Sequence, residues 1–290
     1  MKVGLIASDR KEWHVERLLS ELKRRGAEAY MLPVTGFRSA IGEAPRLTVK
    51  GYGVDDYDAV IVRRVPGGSA EQVFYRMDAL HRLEDMGTLV VNPALSIERT
   101  VDKYYTSALL EDAGIRTPRT VVTESFQEAT DAFEELGGDV VVKPLFGSLG
   151  IGITRVSDPD VAHRVFRALE MTKSVYYVQE FIHHPGVDIR VFIVGGSIVA
   201  SMRRVAKGWK TNISGGGRAE PYTPNDEVAE ISLKAAEKLS LIYTGVDVIL
   251  SDEGDAYVVE LNSTPGWEGL QSVTIVDIAG RLVDHVLSML

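Results

Sequence analysis

The sequence predicts an α/β fold in two parts: a doubly wound parallel sheet, then a longer α+β region in which strands dominate. Three observations predict it. Strands and helices alternate over the first 95 residues, the pattern of a parallel sheet with crossover helices. Strands prevail from residue 139 onward. Asn92-Pro93 interrupts the chain between the two patterns, so the boundary is expected near residue 95, dividing the chain into 1–95 and 96–290.

In the first part, residues 3–7 read as a buried strand. Residues 11–25 read as a helix with Trp13, Leu18, Leu19 and Leu22 on its apolar face and Gly26 as its stop. Residues 58–62 and 88–91 read as further strands on either side of a helix over 69–86. No glycine-rich turn follows the first strand, where Ser8-Asp9-Arg10-Lys11 stands instead, so a dinucleotide fingerprint is absent and the nucleotide is not expected here. In the second part a helix is expected at 97–113, closed by Gly114, and an extended segment at Thr120–Thr123. Ser125 with Glu128 forms a capping-box start for a helix to Leu136. Strands follow at 139–143, 151–155, 175–180, 187–194 and 197–205. A helix running from Thr223-Pro224 to about residue 240 carries Val228, Ile231, Ala235 and Leu239 on one face. Strands at 244–250 and 256–261 and a helix at 275–289 complete the chain.

Composition narrows the function. The 32 Lys+Arg against 41 Asp+Glu leave a net charge of −9, which argues against a nucleic-acid partner. With no cysteine, disulfides, thiolate zinc sites and a cysteine nucleophile are impossible. No stretch approaches the ~18 apolar residues of a membrane span, and no signal-peptide pattern opens the chain. A cytoplasmic protein without a membrane partner is expected.

Three segments carry chemistry. Val140-Val-Val-Lys143 delivers a lysine to a loop with Gly147, Ser148, Gly150 and Gly152; glycines let backbone N–H groups approach phosphate oxygens. A β-hairpin turn would read the same way, and the P-loop spacing is not matched. Gln179-Glu180-Phe181-Ile182 ends a strand and forms a short hinge able to clamp an adenine, with Asp188 beyond it placed for ribose hydroxyls. The adjacent His183 and His184 diverge and are expected as exposed loop residues. Finally, Asp247 lies on one strand, and Glu260 and Asn262 on the next. Alternation gives Glu260 and Asn262 a common face and sends Val259 and Leu261 to the other. These are hard oxygen ligands, suited to magnesium.

Taken in order, Asp102-Lys103, Lys143 with its glycine loop, Gln179–Ile182, Asp188-Ile189-Arg190, Arg203-Arg204, Asn212 with Gly215–Gly217, Gly245–Asp247 and Glu260–Gly266 resemble the ATP-grasp superfamily, and within it the RimK-like α-L-glutamate ligases. The resemblance implies a Rossmann-like N-terminal domain followed by an ATP-grasp domain of two β-rich subdomains. It implies Lys103 and Lys143 on the ATP phosphates, residues 179–182 on adenine and Asp188 on ribose. Arg203 would act as the catalytic arginine beside Asn212, and Asp247, Glu260 and Asn262 would hold two magnesium ions, or manganese in their place. The implied reaction joins L-glutamate, through an acyl phosphate and with release of ADP and phosphate, to an unidentified carboxylated acceptor such as a tetrahydromethanopterin-type cofactor or a protein C-terminus, and a homo-oligomer is expected. One departure is Lys210-Thr211 before Asn212, where some RimK relatives carry Arg-Ser.

Pro265-Gly266-Trp267, with Arg63-Arg64 and Val65 to Gly68, looks more like the archaeal enzymes that add glutamate to methanopterin-type cofactors. Arg63, Arg64, Gly266 and Trp267 become candidate substrate residues, though Arg63 and Arg64 are equally readable as surface charge. A LysX-type amino-acid biosynthesis ligase and a non-catalytic ATP-binding protein of synapsin type are the alternatives.

Overall fold

The computed structural model describes residues 1–147 and 150–290. The chain opens with β1 (Lys2–Ile6), α1 (Trp13–Arg24) and β2 (Glu28–Leu32). A small antiparallel sheet follows, made of β3 (Phe37–Ser39), β4 (Leu47–Val49) and β5 (Tyr52–Gly53). Next come β6 (Ala59–Val62), α2 (Ala70–Asp85) and β7 (Leu89–Val91). The parallel sheet has the order β2-β1-β6-β7. This is the doubly wound arrangement that the strand–helix alternation predicts. β2 and the small sheet are additions to that expectation: their strands are too short to carry a clear period.

The predicted helix at 97–113 is two helices, α3 (Ala94–Val101) and α4 (Lys103–Asp112). Asp102 breaks it, because its side chain accepts the Tyr105 N–H at 3.0 Å and caps α4, leaving Asp102 itself extended. A second, antiparallel sheet contains β8 (Thr120–Thr123), β9 (Val140–Lys143), β10 (Thr154–Val156) and β11 (Tyr176–Glu180), in the order β10-β9-β11-β8. Its apolar face packs on α5 (Phe126–Glu135) and α6 (Pro159–Met171). Residues 151–153 form no strand, since the glycine loop extends into them. α6 went unpredicted although Asp158 caps it and Pro159 occupies its first position.

A third sheet joins β12 (Val187–Val194), β13 (Ser197–Val205), β14 (Arg218–Pro221), β15 (Tyr243–Leu250) and β16 (Ala256–Asn262), in the antiparallel order β14-β13-β12-β15-β16. α7 (Asp226–Lys238) covers one face through Val228, Ala235 and the following cap residue Leu239, against Ile189, Val191, Val246 and Leu261. α7 starts after its cap Asn225, two residues beyond the predicted Thr223-Pro224. The short α8 (Glu268–Gln271) and α9 (Ile278–Ser288) close the chain.

The other face of the third sheet meets the first part of the chain. Phe192, Val194, Met202, Tyr243 and Trp267 share one core with β1, α1 and α9. Asn92, fully buried, fastens this junction: its Nδ2 donates to the carbonyls of Tyr243 (2.8 Å) and Ser263 (2.6 Å). Its Oδ1 accepts from the backbone N–H groups of Ile242 (2.7 Å) and Tyr243 (3.1 Å). Among the described residues no helix is long and apolar enough to cross a membrane.

Candidate active site

The site begins with strand register. On β12, Asp188 lies opposite Arg204 of β13, and Arg190 lies opposite Asp247 of β15. Asp247 in turn lies opposite Glu260 of β16, and Gly245 opposite Asn262. Directly paired residues share a face, so these side chains form one polar row across the sheet. Arg190 Nη2 donates to Asp247 Oδ2 at 2.8 Å, and its Nε donates to Oδ1. Arg204 Nε donates to Asp188 Oδ1 at 2.7 Å; its Nη2 donates to Asp188 Oδ2 and lies 3.0 Å from Asp247 Oδ2. All four are buried.

Burial pushes the Asp247 carboxyl up, but the Arg190 and Arg204 guanidiniums more than offset this and hold it below the usual carboxylate range. Glu260 shifts the other way: burial and then the Asp247 charge raise it, against the pull of Arg190, Lys103 and Lys143. Burial likewise opposes the charge of Arg204, but Asp247 and Asp188 outweigh it and raise its pKa.

Gly245 makes room for this row. A Cβ there would lie 2.7 Å from Arg190 Nη1 and 3.1 Å from Pro265 Cβ, so any larger residue would displace the arginine that holds Asp247. The predicted alternation holds at Glu260 and Asn262 but fails one residue earlier. A bulge beside Asp247 puts Val258, and not Val259, opposite Val248 in the core with Leu261. One extra residue in a strand reverses the facing of everything before it.

Two lysines reach this row from the second sheet and from α4. Lys143 ends β9, and its Nζ donates to Gln179 Oε1 at 2.6 Å. Burial lowers its pKa to about 8, opposed by the Glu260 charge. Lys103 opens α4, donates to the Gly147 carbonyl at 3.0 Å and is also lowered by burial. The loop between β9 and β10 needs glycine at 152, where φ is +78° and a Cβ would sit 2.9 Å from Pro144 Cγ. A Cβ at Gly150 would lie 3.3 Å from Asn212 Nδ2, so the loop reaches the Asn212 segment. Lys210, the departure noted above, donates to the Ile153 carbonyl at 2.7 Å and ties the same two segments. Ser148 lies outside the described residues.

At the hinge, Glu180 accepts the Arg119 backbone N–H and Nε, both at 2.7 Å. Phe181 carries the Arg155 guanidinium 3.5 Å from its ring centroid and faces Trp209 edge-on at 6.0 Å; Ile182 follows half-buried. His183 is exposed as expected. His184 is half-buried, and burial lowers its pKa.

Several predicted site residues stand elsewhere. Arg203 lies opposite Ile189, on the α7 face of the sheet, and donates to Glu220 at 3.1 Å, so it does not join the row. Arg204 is the one of the pair that faces Asp188 and Asp247. Asp188, expected to meet ribose, already has both oxygens engaged by Arg204. Arg63 is buried, not surface charge: it stacks over Trp267 (4.7 Å) and donates to the Tyr243 hydroxyl at 3.3 Å. Trp267 is also buried, and its backbone N–H donates to His14 Nε2 at 2.9 Å. Arg64 and Gly266 are exposed. Arg190 and Arg204, which pair with the aspartates of the row, and Asn92, which joins the sheets, carry no expectation of these roles from the sequence. Arg190 and Arg204 stand inside motifs already singled out, and only strand pairing separates them from their neighbours.

Glu260 and the Asn262 amide offer hard oxygen donors on one face, and Asp247 beside them joins that magnesium-type set only by loosening the hold of Arg190 and Arg204 on its two oxygens. Asn262 Nδ2 is buried without a hydrogen-bond partner, so its amide is not committed to the protein through that atom. Among the described residues no three His, Cys, Asp or Glu side chains converge, so the amide is needed to complete the set.

A model of the RimK-like ATP-grasp domain matches residues 100–286, and a RimK PreATP-grasp domain matches residues 1–97. The chain belongs to the RimK-like ATP-grasp family. It is therefore an ATP-dependent ligase that forms C–N bonds, and the family implies a divalent metal. Similar relatives include the tetrahydromethanopterin:alpha-L-glutamate ligase of Methanococcus maripaludis, 32% identical over 99% of this chain and 98% of that one. The enzyme of the same name from Methanocaldococcus jannaschii is 39% identical over 81% of this chain and 80% of its own. Among solved structures, a RimK domain ATP-grasp protein from Sphaerobacter thermophilus superimposes with a TM-score of 0.79 at 22% identity, covering 98% of this chain and 99% of that one. Its ATP-grasp fold is thus shared by this RimK-like ligase. Lys143 of the second sheet and Lys103 of α4 both act on Glu260 of the third sheet, so these elements bring the lysines to the polar row.

Proposed function

We propose that this RimK-like ligase joins the amine of L-glutamate to a carboxylate on a tetrahydromethanopterin-type cofactor or a comparable carboxylated acceptor, releasing ADP and phosphate. The observation that carries the reading is the similarity to tetrahydromethanopterin:alpha-L-glutamate ligases, which for the Methanococcus maripaludis enzyme runs over nearly the whole of both chains. The acceptor carboxylate attacks the γ-phosphorus, the bond to the ADP oxygen breaks, and an acyl phosphate forms. The glutamate amine then attacks the acyl carbon, phosphate leaves, and the amine gives up its proton. The chain supplies positioning and charge, which is most of what phosphoryl transfer asks of a protein.

Lys103 and Lys143 hold the phosphates. Arg190 and Arg204 keep Asp247 ionised and add positive charge beside the phosphoryl group. Asp188 fixes Arg204, a role its burial supports better than a ribose contact. Phe181 with Trp209 forms the apolar wall for adenine. Two magnesium ions, held by Asp247, Glu260 and Asn262, would neutralise phosphate charge when bound.

The test is ADP release with a panel of carboxylated pterin-type cofactors plus glutamate, lysine, ornithine or alanine, with product masses recorded. Glutamate-dependent ADP release with a product heavier by a glutamyl residue is expected. Equal turnover with alanine would overturn glutamate specificity.

A further inference from the structure

Gln179 and Tyr177 point from β11 to the face that carries Lys143, opposite the apolar side where Tyr176 and Val178 are buried. Tyr177 lies directly opposite Lys143, and Gln179 directly opposite Thr120. Every polar atom of the Gln179 amide is engaged. Its Oε1 accepts from the Lys143 ammonium at 2.6 Å, while Nε2 donates to Thr120 Oγ1 at 2.9 Å and to the Tyr177 hydroxyl at 3.2 Å. Thr120 Oγ1 spends its proton on the Pro118 carbonyl at 2.9 Å, so it can only accept from Gln179. Lys143 can only donate. The amide therefore has a single workable orientation, because turning it over would set N–H against ammonium.

The chain of bonds continues. The Tyr177 hydroxyl, accepting from Gln179, is free to donate to Ser107 Oγ at 2.9 Å, and burial keeps that phenol protonated by raising its pKa. Ser107 lies on α4, one turn from Lys103 and on the same helix face. Gln179 and Tyr177 thus link the two lysines that approach Glu260 from different elements.

We propose that Gln179 and Tyr177 are positioning residues for ATP-phosphate binding: they aim the Lys143 ammonium and, through Ser107, fix it relative to Lys103. Gln179 then serves the phosphates and not the adenine. This rests on the reading of Lys103 and Lys143 as phosphate ligands. Lys143 is half-buried, so it keeps few solvent partners and its direction is set chiefly by the protein acceptor it retains.

The experiment measures binding of ATP and of adenosine, which has no phosphate, to the full chain by calorimetry. Gln179→Leu is expected to weaken ATP by about tenfold or more, the scale of a lost hydrogen bond to a charged group, and to leave adenosine unchanged. Unchanged ATP affinity, or equal loss of both ligands, overturns the proposal. If that variant does not fold, Gln179→Met reads the same question: it keeps an unbranched side chain of similar length and removes the acceptor for Lys143 without adding charge, so selective loss of ATP supports the proposal and unchanged ATP affinity overturns it. Tyr177→Phe and Ser107→Ala should each weaken ATP by a smaller factor, and the double variant should be no worse than Tyr177→Phe, since both cut one link; multiplicative losses contradict the link. Lys143→Met separates the two levels. Selective ATP loss there with a silent Gln179→Leu overturns positioning alone, whereas normal ATP binding by Lys143→Met overturns the phosphate reading as well.

Discussion

Arg203 and Arg204 are chemically identical neighbours with opposite surroundings. Arg204 lies buried between Asp188 and Asp247, while Arg203 stands half-exposed beside Glu220 on the far face. Lysine offers a point charge and no planar fork, so it cannot bridge two carboxylates as a guanidinium does. Arg204→Lys is therefore expected to lower ATP turnover by about tenfold or more, each factor of ten being ~1.4 kcal/mol at the barrier. Arg203→Ala should leave turnover near normal and change stability by no more than about 0.5 kcal/mol, as for other surface substitutions. Steady-state ADP release compares the two, and equal losses would return Arg203 to the site. The residue types here were legible in the sequence, but their facing was not. An Arg-Arg pair gives no sign of which side chain faces inward until the partner strand is known.

Strand elements explain both what could be read and what could not. Alternation correctly gave Glu260 and Asn262 a common face, because no irregularity falls between them. It misassigned Val259 because the bulge precedes Glu260, and a bulge leaves no periodic trace. The parallel sheet was legible from its apolar strands, whereas α3 and α4 merged in the reading because the residues flanking Asp102 are all acceptable in a helix. Gly245 shows how closely the elements pack beneath the site. Gly245→Ala is expected to destabilise the protein by about 1–3 kcal/mol through overpacking against Arg190 and Pro265. Urea denaturation measures this, and an unchanged midpoint would mean that Arg190 moves aside freely.

Across the whole molecule, the first and third sheets are joined by Asn92, Trp267 and α9, so β16, the strand that carries Glu260 and Asn262, is anchored to the N-terminal part. Asn92→Ala removes four buried hydrogen bonds and should cost about 3 kcal/mol or more, read as a shift in the urea midpoint. His14 adds a pH dependence. Burial, and then the Arg63 charge, lower its pKa from 6.5 to about 3, and its Nε2 must stay unprotonated to accept the Trp267 N–H. The folded state therefore binds fewer protons than the unfolded state. The resulting stability is complete above pH 6.5 and is lost as pH falls from there towards 3, by at most about 1.4 kcal/mol per pH unit. His14→Gln should flatten that acid slope in denaturation curves; an unchanged slope would assign it to other groups.

The most direct test of the central claim is ATP turnover by a folded Glu260→Gln protein at saturating magnesium. The substitution keeps the size of the side chain and removes the charge that faces Asp247, Lys103 and Lys143. If the polar row is the metal and phosphate site, folding survives and ADP release falls by about a hundredfold or more. Near-normal ligation by that variant would contradict the account.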